Sequence, residues 1–262
     1  MSLVYFIVQH IYMEQGGAYT MKSLFHKLSF KLTLMLFACS CGMFLYASFH
    51  SYTQIAEQAA VLNTVNDRVI ILDAGHGGED GGAVGKSNLP EKEINLSITE
   101  KLKTLLELHG FTVIMTRESD AFIGDNSLPT LTERKKSDMQ KRLQIMTEHP
   151  NGIFVSIHQN HFDNTALNGA QVFYSANHDH SPLLASSIQT TIVSLLQPEN
   201  MRVSKAAEPT IYLLRNAQIP AVIVECGFLS NIEEATLLCE ESYQNQIAFS
   251  IFCGILDYYA AI

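Results

Sequence analysis

The chain has 262 residues and carries 17 Lys and Arg against 26 Asp and Glu, a formal net charge of −9 with histidine neutral. That length suits one α/β domain of ordinary size and leaves no room for a second catalytic domain. Residues 1–50 hold three Lys against one acid, so nearly all the negative charge lies downstream. An acidic body with no basic stripe argues against nucleic acid as the partner, because phosphate binding needs clustered Lys and Arg.

The first twenty residues differ in character from the rest of the chain. Gln15-Gly16-Gly17 can be encoded by a stretch containing a ribosome-binding sequence, placed just upstream of Met21. Translation is therefore expected to start at Met21, with 1–20 an upstream extension. From Leu32 to Phe49 the chain runs without a charge, following Lys22, Lys27 and Lys31. A run of that length with a basic flank is expected to be an uncleaved membrane anchor whose amino end is cytoplasmic. The alternatives are a cleaved secretory signal and a lipoprotein signal at Cys39, though Phe37 and Ala38 make a poor lipobox. A segment hydrophobic on all sides is a poor candidate for a soluble core helix. Residues 51–67 are polar and weakly patterned and fit a membrane-proximal linker, leaving 68–262 as the catalytic domain.

Short apolar runs at Val69–Leu72, Ile153–Ile157 and Ala221–Val224 read as buried strands of a largely parallel sheet. Between them come a glycine-rich loop at Gly75–Gly82, a helix from Glu91 to about His109 stopped by Gly110, and a strand over Phe111–Thr116. A loop from Glu118 to Thr130 leads into an amphipathic helix ending near His149, and Pro150-Asn151-Gly152 makes a turn. A strand at Ala170–Tyr174, a helix at Ser181–Leu196, a strand at Ile211–Leu214 and a last helix near Tyr243–Tyr259 complete the α/β domain. In the first of these helices Ile94, Ile98, Leu102 and Leu105 form the inward stripe, which Glu91 continues, while Glu93 falls on the solvated side.

Each of the three apolar strands leads directly or through a short loop to a chemically useful residue, respectively His76, His158 and Glu225. Open α/β sheets carry their chemistry at the carboxyl ends of the strands, so these three share one edge and Glu91 reaches it from its helix. Two histidines and a carboxylate, with a second carboxylate nearby, are the parts of a His2Glu zinc site and its general base. Donor atoms around one such ion would stand roughly 3.4 Å apart. Each residue alone has a bland reading. Asn88 to Glu91 is an approximate capping box ahead of a Pro90 helix start, and a lone His158 is ordinarily a satisfied core histidine. Glu225 has the weakest such reading, because a buried unpaired carboxylate is costly. The loop G-H-G-G-E-D-G-G lacks the spacing of a phosphate-binding loop.

His161 is a further ligand candidate but lies beyond the strand end, where a solvated histidine is expected. Arg117 could bind a substrate carboxylate through its planar fork or pair with a surface acid. Asn160, two residues past His158, is the other candidate substrate contact, and Arg142 is read as structural. Cys39, Cys41, Cys226, Cys239 and Cys253 have no C-x-x-C spacing, which removes a disulfide framework and a cysteine metal site. Cys226 neighbours Glu225, but adjacent strand residues face opposite ways, so it is set aside as a nucleophile.

Four segments occur in an order that resembles the zinc-dependent N-acetylmuramoyl-L-alanine amidases: Ile71-Leu72-Asp73-Ala74-Gly75-His76-Gly77-Gly78, Glu91-Lys92-Glu93-Ile94-Asn95-Leu96, Ser156-Ile157-His158-Gln159-Asn160, and Val224-Glu225-Cys226-Gly227-Phe228-Leu229-Ser230-Asn231. The resemblance covers about Arg68 to Tyr259. It implies a mixed six-stranded sheet flanked by helices, one Zn2+ held by His76, Glu91 and His158, and Glu225 as the catalytic glutamate. Ala74 and His161 depart from the family pattern. Met115–Asp120, Gly169–Tyr174, Ile211–Leu214 and Glu234–Leu238 further resemble the germination-specific amidases of endospore formers. That subgroup implies a peptidoglycan substrate, a part in making the muramic-δ-lactam of spore cortex, an accessory spore protein as a partner, and a catalytic domain outside the cytoplasm. A vegetative autolysin of the same chemistry and a zinc peptidase of other specificity are the competing expectations.

Overall fold

A computed structural model describes residues 21–66, 68–85 and 90–262. Residues 1–20, with the start-site reading placed on them, and Asn88, with its capping role, lie outside the described residues. The chain divides into two compact units, one reaching Val61 and the other running from Leu62 to Ile262.

The amino-terminal unit is built on helix α1, Met21–Asn66, so the stretch read as a linker is helical as far as Asn66. Within α1, Phe30–Gln54 has a mean hydropathy of 1.8, and none of it is buried. At ~1.5 Å per residue such a span measures about 37 Å, more than the ~30 Å of bilayer hydrocarbon. Its length and composition therefore suffice to cross a membrane, and its exposure is not that of a core helix.

The second unit is a six-stranded sheet with helices on both faces. The strands are β1 (Val69–Ala74), β2 (Thr112–Met115), β3 (Ile153–Asn160), β4 (Gln171–Tyr174), β5 (Lys205–Ala206) and β6 (Ala221–Phe228). Their order is β2-β1-β3-β6-β4-β5. β1 pairs in parallel with β2 and β3, β3 with β6, and β4 with β5, while β4 runs antiparallel to β6. The helices are α2 (Glu91–Leu108), α3 (Leu131–Glu148), α4 (Ser181–Leu195), α5 (Tyr212–Asn216), α6 (Ile232–Leu238) and α7 (Glu241–Ala261).

Alternation along each strand feeds two cores. Ile70 and Leu72 of β1, Val155 and Ile157 of β3, and Val222 and Val224 of β6 pack with Ile94, Ile98 and Leu102 of α2, Ile188 of α4 and Ile251 of α7. Ile71, Phe154, Ala221 and Ile223 face the other way, onto Met146 of α3 and Leu213 and Leu214 of α5. Both faces are covered, which is why the central strands read as unbroken apolar runs. The inward stripe of α2 is completed by Leu106, with Leu105 only half buried.

Two readings of the sequence need correction. Ile211–Leu214 is not a strand: Ile211 precedes the short helix α5, and Leu213 and Leu214 are buried on the second core. β5 already holds the edge beside β4, and a four-residue apolar run cannot be told from a buried helical turn by periodicity. The strands β3 and β6 also run past the apolar residues that announce them. His158 and Glu225 are therefore paired positions within the ladder, with a register shift between His158 and Asn160.

Candidate metal centre

His76 sits just beyond β1 with a left-handed backbone, φ 63°, which non-glycine residues seldom adopt. Several bonds fix it there. Its carbonyl accepts from Arg142 Nη2 at 2.8 Å, and Gly77 and Asp80 exchange backbone hydrogen bonds of 2.9 and 3.0 Å. Its ring Nδ1 meets Asp80 Oδ2 at 3.0 Å, leaving Nε2 to face Glu91 Oε2 at 3.2 Å. Asp80 is in turn paired with Lys135 at 2.7 Å.

Glu91 is the first residue of α2 and is buried. Its Oε2 accepts from Ala83 N at 2.9 Å and its Oε1 from Gln159 N at 3.0 Å and Asn95 Nδ2 at 3.2 Å. His158 Nδ1 stands 3.0 Å from the same Oε1. The other side of the His158 ring lies against Gly75, where a Cβ would come within 2.2 Å of Nε2, so only glycine admits this ring position. One ligand atom from each of His76, Glu91 and His158 can be chosen so that all lie within 4.8 Å of one another. The sequence thus named three residues that the fold does bring together.

Opposite His158 in the β3–β6 register stands Glu225. Its Oε2 is buried with no hydrogen-bond partner. Burial pushes the carboxyl up to about 7; Glu91 adds to the rise, while His158 and His76 oppose it. Glu91 behaves in the reverse way: burial would raise it, but its hydrogen bonds and charge attraction with His158 and His76 hold it well below the usual carboxylate range. Burial alone would lower His76, yet Asp80 and Glu91 outweigh it and raise the ring to about 9. Two imidazoles gathered on one ionised carboxylate, with one ring anchored from behind by Asp80, are the N2O donor set and outer support that suit a divalent zinc. The orphaned Glu225 oxygen beside them fits a group reserved for a reactant.

Beneath the loop, Asp73 is fully partnered by Arg142 Nη1, Thr116 Oγ1 at 2.7 Å and Ser156 Oγ at 2.5 Å. Arg142 also binds Asp138 at 2.7 Å and the Ala74 carbonyl at 3.0 Å, the structural part expected of it. A cleft of about 230 Å³ opens in front, lined by His76, His158, Asp80, Lys135, Tyr212 and Ile223 among others.

The remaining candidates are placed elsewhere. Arg117 is buried, and its three guanidinium nitrogens donate to the carbonyls of Ala74, Ser119, Gly75 and Lys92 at 2.7 to 3.1 Å. It clamps the His76 loop to α2 and is neither a substrate fork nor a partner of a surface acid. Asn160 ends β3 with its Oδ1 taken by His161 N at 2.9 Å. His161 is exposed, and Cys226 is buried with its thiol pushed up by burial. Sequence reasoning missed Asp80, though its place four residues after His76 in the glycine loop was a usable signal, and missed Gln171, the cross-strand partner of Glu225.

The family model for N-acetylmuramoyl-L-alanine amidase matches residues 70–257. The chain belongs to that family. The amidase is 35% identical over 195 residues to the germination-specific N-acetylmuramoyl-L-alanine amidase of Bacillus subtilis, covering 74% of this chain and 81% of that one. It is 30% identical to the LytC amidase of the same organism over 79% of this chain but 38% of the relative. Among solved structures, the CwlD amidase of Clostridioides difficile in complex with the GerS lipoprotein matches with a TM-score of 0.71 and 40% identity, covering 74% of the amidase and 99% of that chain. The AmiC2 amidase of Nostoc punctiforme matches at 0.64 with 32% identity over 74% and 98%.

Proposed function

We propose that this amidase holds one zinc ion through His76, Glu91 and His158, and that Glu225 is its catalytic proton carrier. The observation that carries the reading is the Glu225 Oε2 atom, buried, unpartnered and across the ladder from His158. Zinc bound there supplies a Lewis acid that polarises the lactyl carbonyl and lowers the pKa of water. Glu225 takes the proton of the attacking water and returns it to the amine of L-alanine as the amide breaks. A carboxyl that burial raises above its ordinary value is suited to both taking and returning a proton. Glu91 cannot share this task because both its oxygens are engaged. Asp80 would hold the proton of His76 on Nδ1 and so leave Nε2 for a metal.

The biological reading is removal of stem peptides for muramic-δ-lactam formation in spore cortex. Its support is the likeness to the germination-specific amidase over 81% of that protein, against 38% of LytC. By the same likeness, a lipoprotein partner of the kind bound to the CwlD amidase is proposed, and α1 is proposed as the anchor of a catalytic domain outside the cytoplasm, with secretion after cleavage as the alternative. The test is digestion of purified peptidoglycan with and without a chelator, followed by mass spectrometry. Intact stem peptides beginning with L-alanine should appear only without chelator; fragments cut inside the peptide would overturn the amidase assignment in favour of a peptidase.

A further inference from the structure

The catalytic edge continues past Glu225 to a cation that has no counter-ion among the described residues. Gln171 is the cross-strand partner of Glu225 on the antiparallel β4, which puts the two side chains on the same face of the sheet. Gln171 Oε1 accepts from Arg202 Nη1 at 3.3 Å, and Gln171 Nε2 donates to the Val203 carbonyl at 2.9 Å. Arg202 is thus one side chain beyond the catalytic carboxylate. Its Nε donates to the Asn168 carbonyl at 2.8 Å and its guanidinium lies over the Phe228 ring, 4.8 Å from the centroid.

Two of its nitrogens are held by neutral oxygens, and Nη2 donates to nothing among the described residues. No carboxylate stands within ion-pair distance of it there. Glu234, the acid whose carboxyl feels its charge, already accepts from Gly169 N at 2.9 Å and Phe228 N at 2.8 Å. The other arginines near the site are satisfied: Arg142 by two aspartates and Arg117 by four carbonyls. In a chain with a surplus of acids, an arginine stacked, oriented and left without an anion is suited to an anionic ligand. Its planar fork matches a carboxylate.

We infer that Arg202, positioned by Gln171 and Phe228, forms a subsite for a carboxylate of the stem peptide, on the β4 side of the scissile amide. The inference rests on the proposed function and names a substrate determinant of that same site. A charge-assisted bond from an anchored guanidinium separates an acid from its amide by ~10-fold to ~100-fold.

The test uses the full chain in detergent, loaded with zinc, and disaccharide tripeptides whose stem carboxylates are either free or amidated. The wild type should favour the free acid by that factor in kcat/KM, with most of the difference in KM. In Arg202→Gln the ratio should fall toward one, and Arg202→Lys, which keeps charge but not the fork, should lie between. Binding of the same two tripeptides to Glu225→Gln protein, with and without Arg202→Gln, should show the same loss of preference without any turnover. An unchanged ratio in Arg202→Gln, or an equal loss on both substrates together with a lower melting temperature, would overturn the inference and make Arg202 a structural residue. Should Arg202→Gln fail to fold, a full wild-type preference in Arg202→Lys would overturn it too. Wild-type protein that cleaves neither tripeptide nor whole peptidoglycan would instead contradict the function on which the inference rests.

Discussion

Asp73 and Glu225 are both carboxylates at the carboxyl edge of the central strands, yet their surroundings are opposed. Every oxygen of Asp73 has a partner, and although burial works against its charge, Arg142, Ser156 and Thr116 hold it below the usual range. Glu225 has a buried oxygen with no partner and is raised to about 7. A fold that satisfies one buried acid so thoroughly had the means to satisfy the other. The difference separates a group that holds the loop from one that, on the proposed function, is kept ready for a proton, in line with the clustering of perturbed carboxyls at reacting sites.

Removing the proposed proton carrier should give the largest effect on rate. Glu225→Gln is expected to lower kcat by ~10²-fold to ~10⁴-fold. Its melting temperature should stay level or rise, since an unpaired buried carboxyl is replaced by a neutral amide. The matching change at the satisfied site should show the converse. Arg142→Met leaves Asp73 and Asp138 buried without their cation and should cost ~3–5 kcal/mol of stability in a denaturant titration.

The contrast between the two carboxylates sharpens further with pH. Because the folded carboxyl of Asp73 is depressed relative to its ordinary value of 3.8, its stabilisation is present above about pH 4 and is lost as pH falls through the lower folded value. Melting curves of wild type and Asp73→Asn should therefore converge as the solution is acidified below pH 4 and stay apart above it. A constant gap across that window would remove the ion pair from the account.

Two smaller effects mark its edges. Asp80→Ala should weaken zinc affinity by ~10-fold to ~100-fold in competition with a chromogenic chelator, because His76 loses the acceptor that orients it. Cys226→Ala should leave turnover within about twofold, since the thiol faces away from Glu225 into the core and burial keeps it protonated. Loss of activity there would reopen Cys226 as a participant.

The sequence made the centre of the sheet legible because β1, β3 and β6 are buried on both faces and so read as apolar runs ending near His76, His158 and Glu225. Glu91 was found from helical phase, since it continues the stripe of Ile94 and Ile98. The periphery was harder. α5 hid as an apolar run, and α6 was overlooked although Asn231 caps it, accepting from Glu233 N and Glu234 N at 3.0 and 3.1 Å. Arg117 was misread because nothing in the sequence shows that four backbone carbonyls converge on it. Gln171 was read onto a strand, but its nearness and that of Arg202 to Glu225 were not legible, because they depend on β4 running antiparallel beside β6, a pairing that local pattern does not encode.

The division of labour between the carboxylates is tested most directly by measuring zinc per chain in purified Glu91→Ala and Glu225→Gln proteins by elemental mass spectrometry. The expected result is a loss of most zinc in Glu91→Ala, with Glu225→Gln retaining about one ion per chain while failing to release stem peptides. Equal zinc loss in both, or full zinc in both, would contradict it.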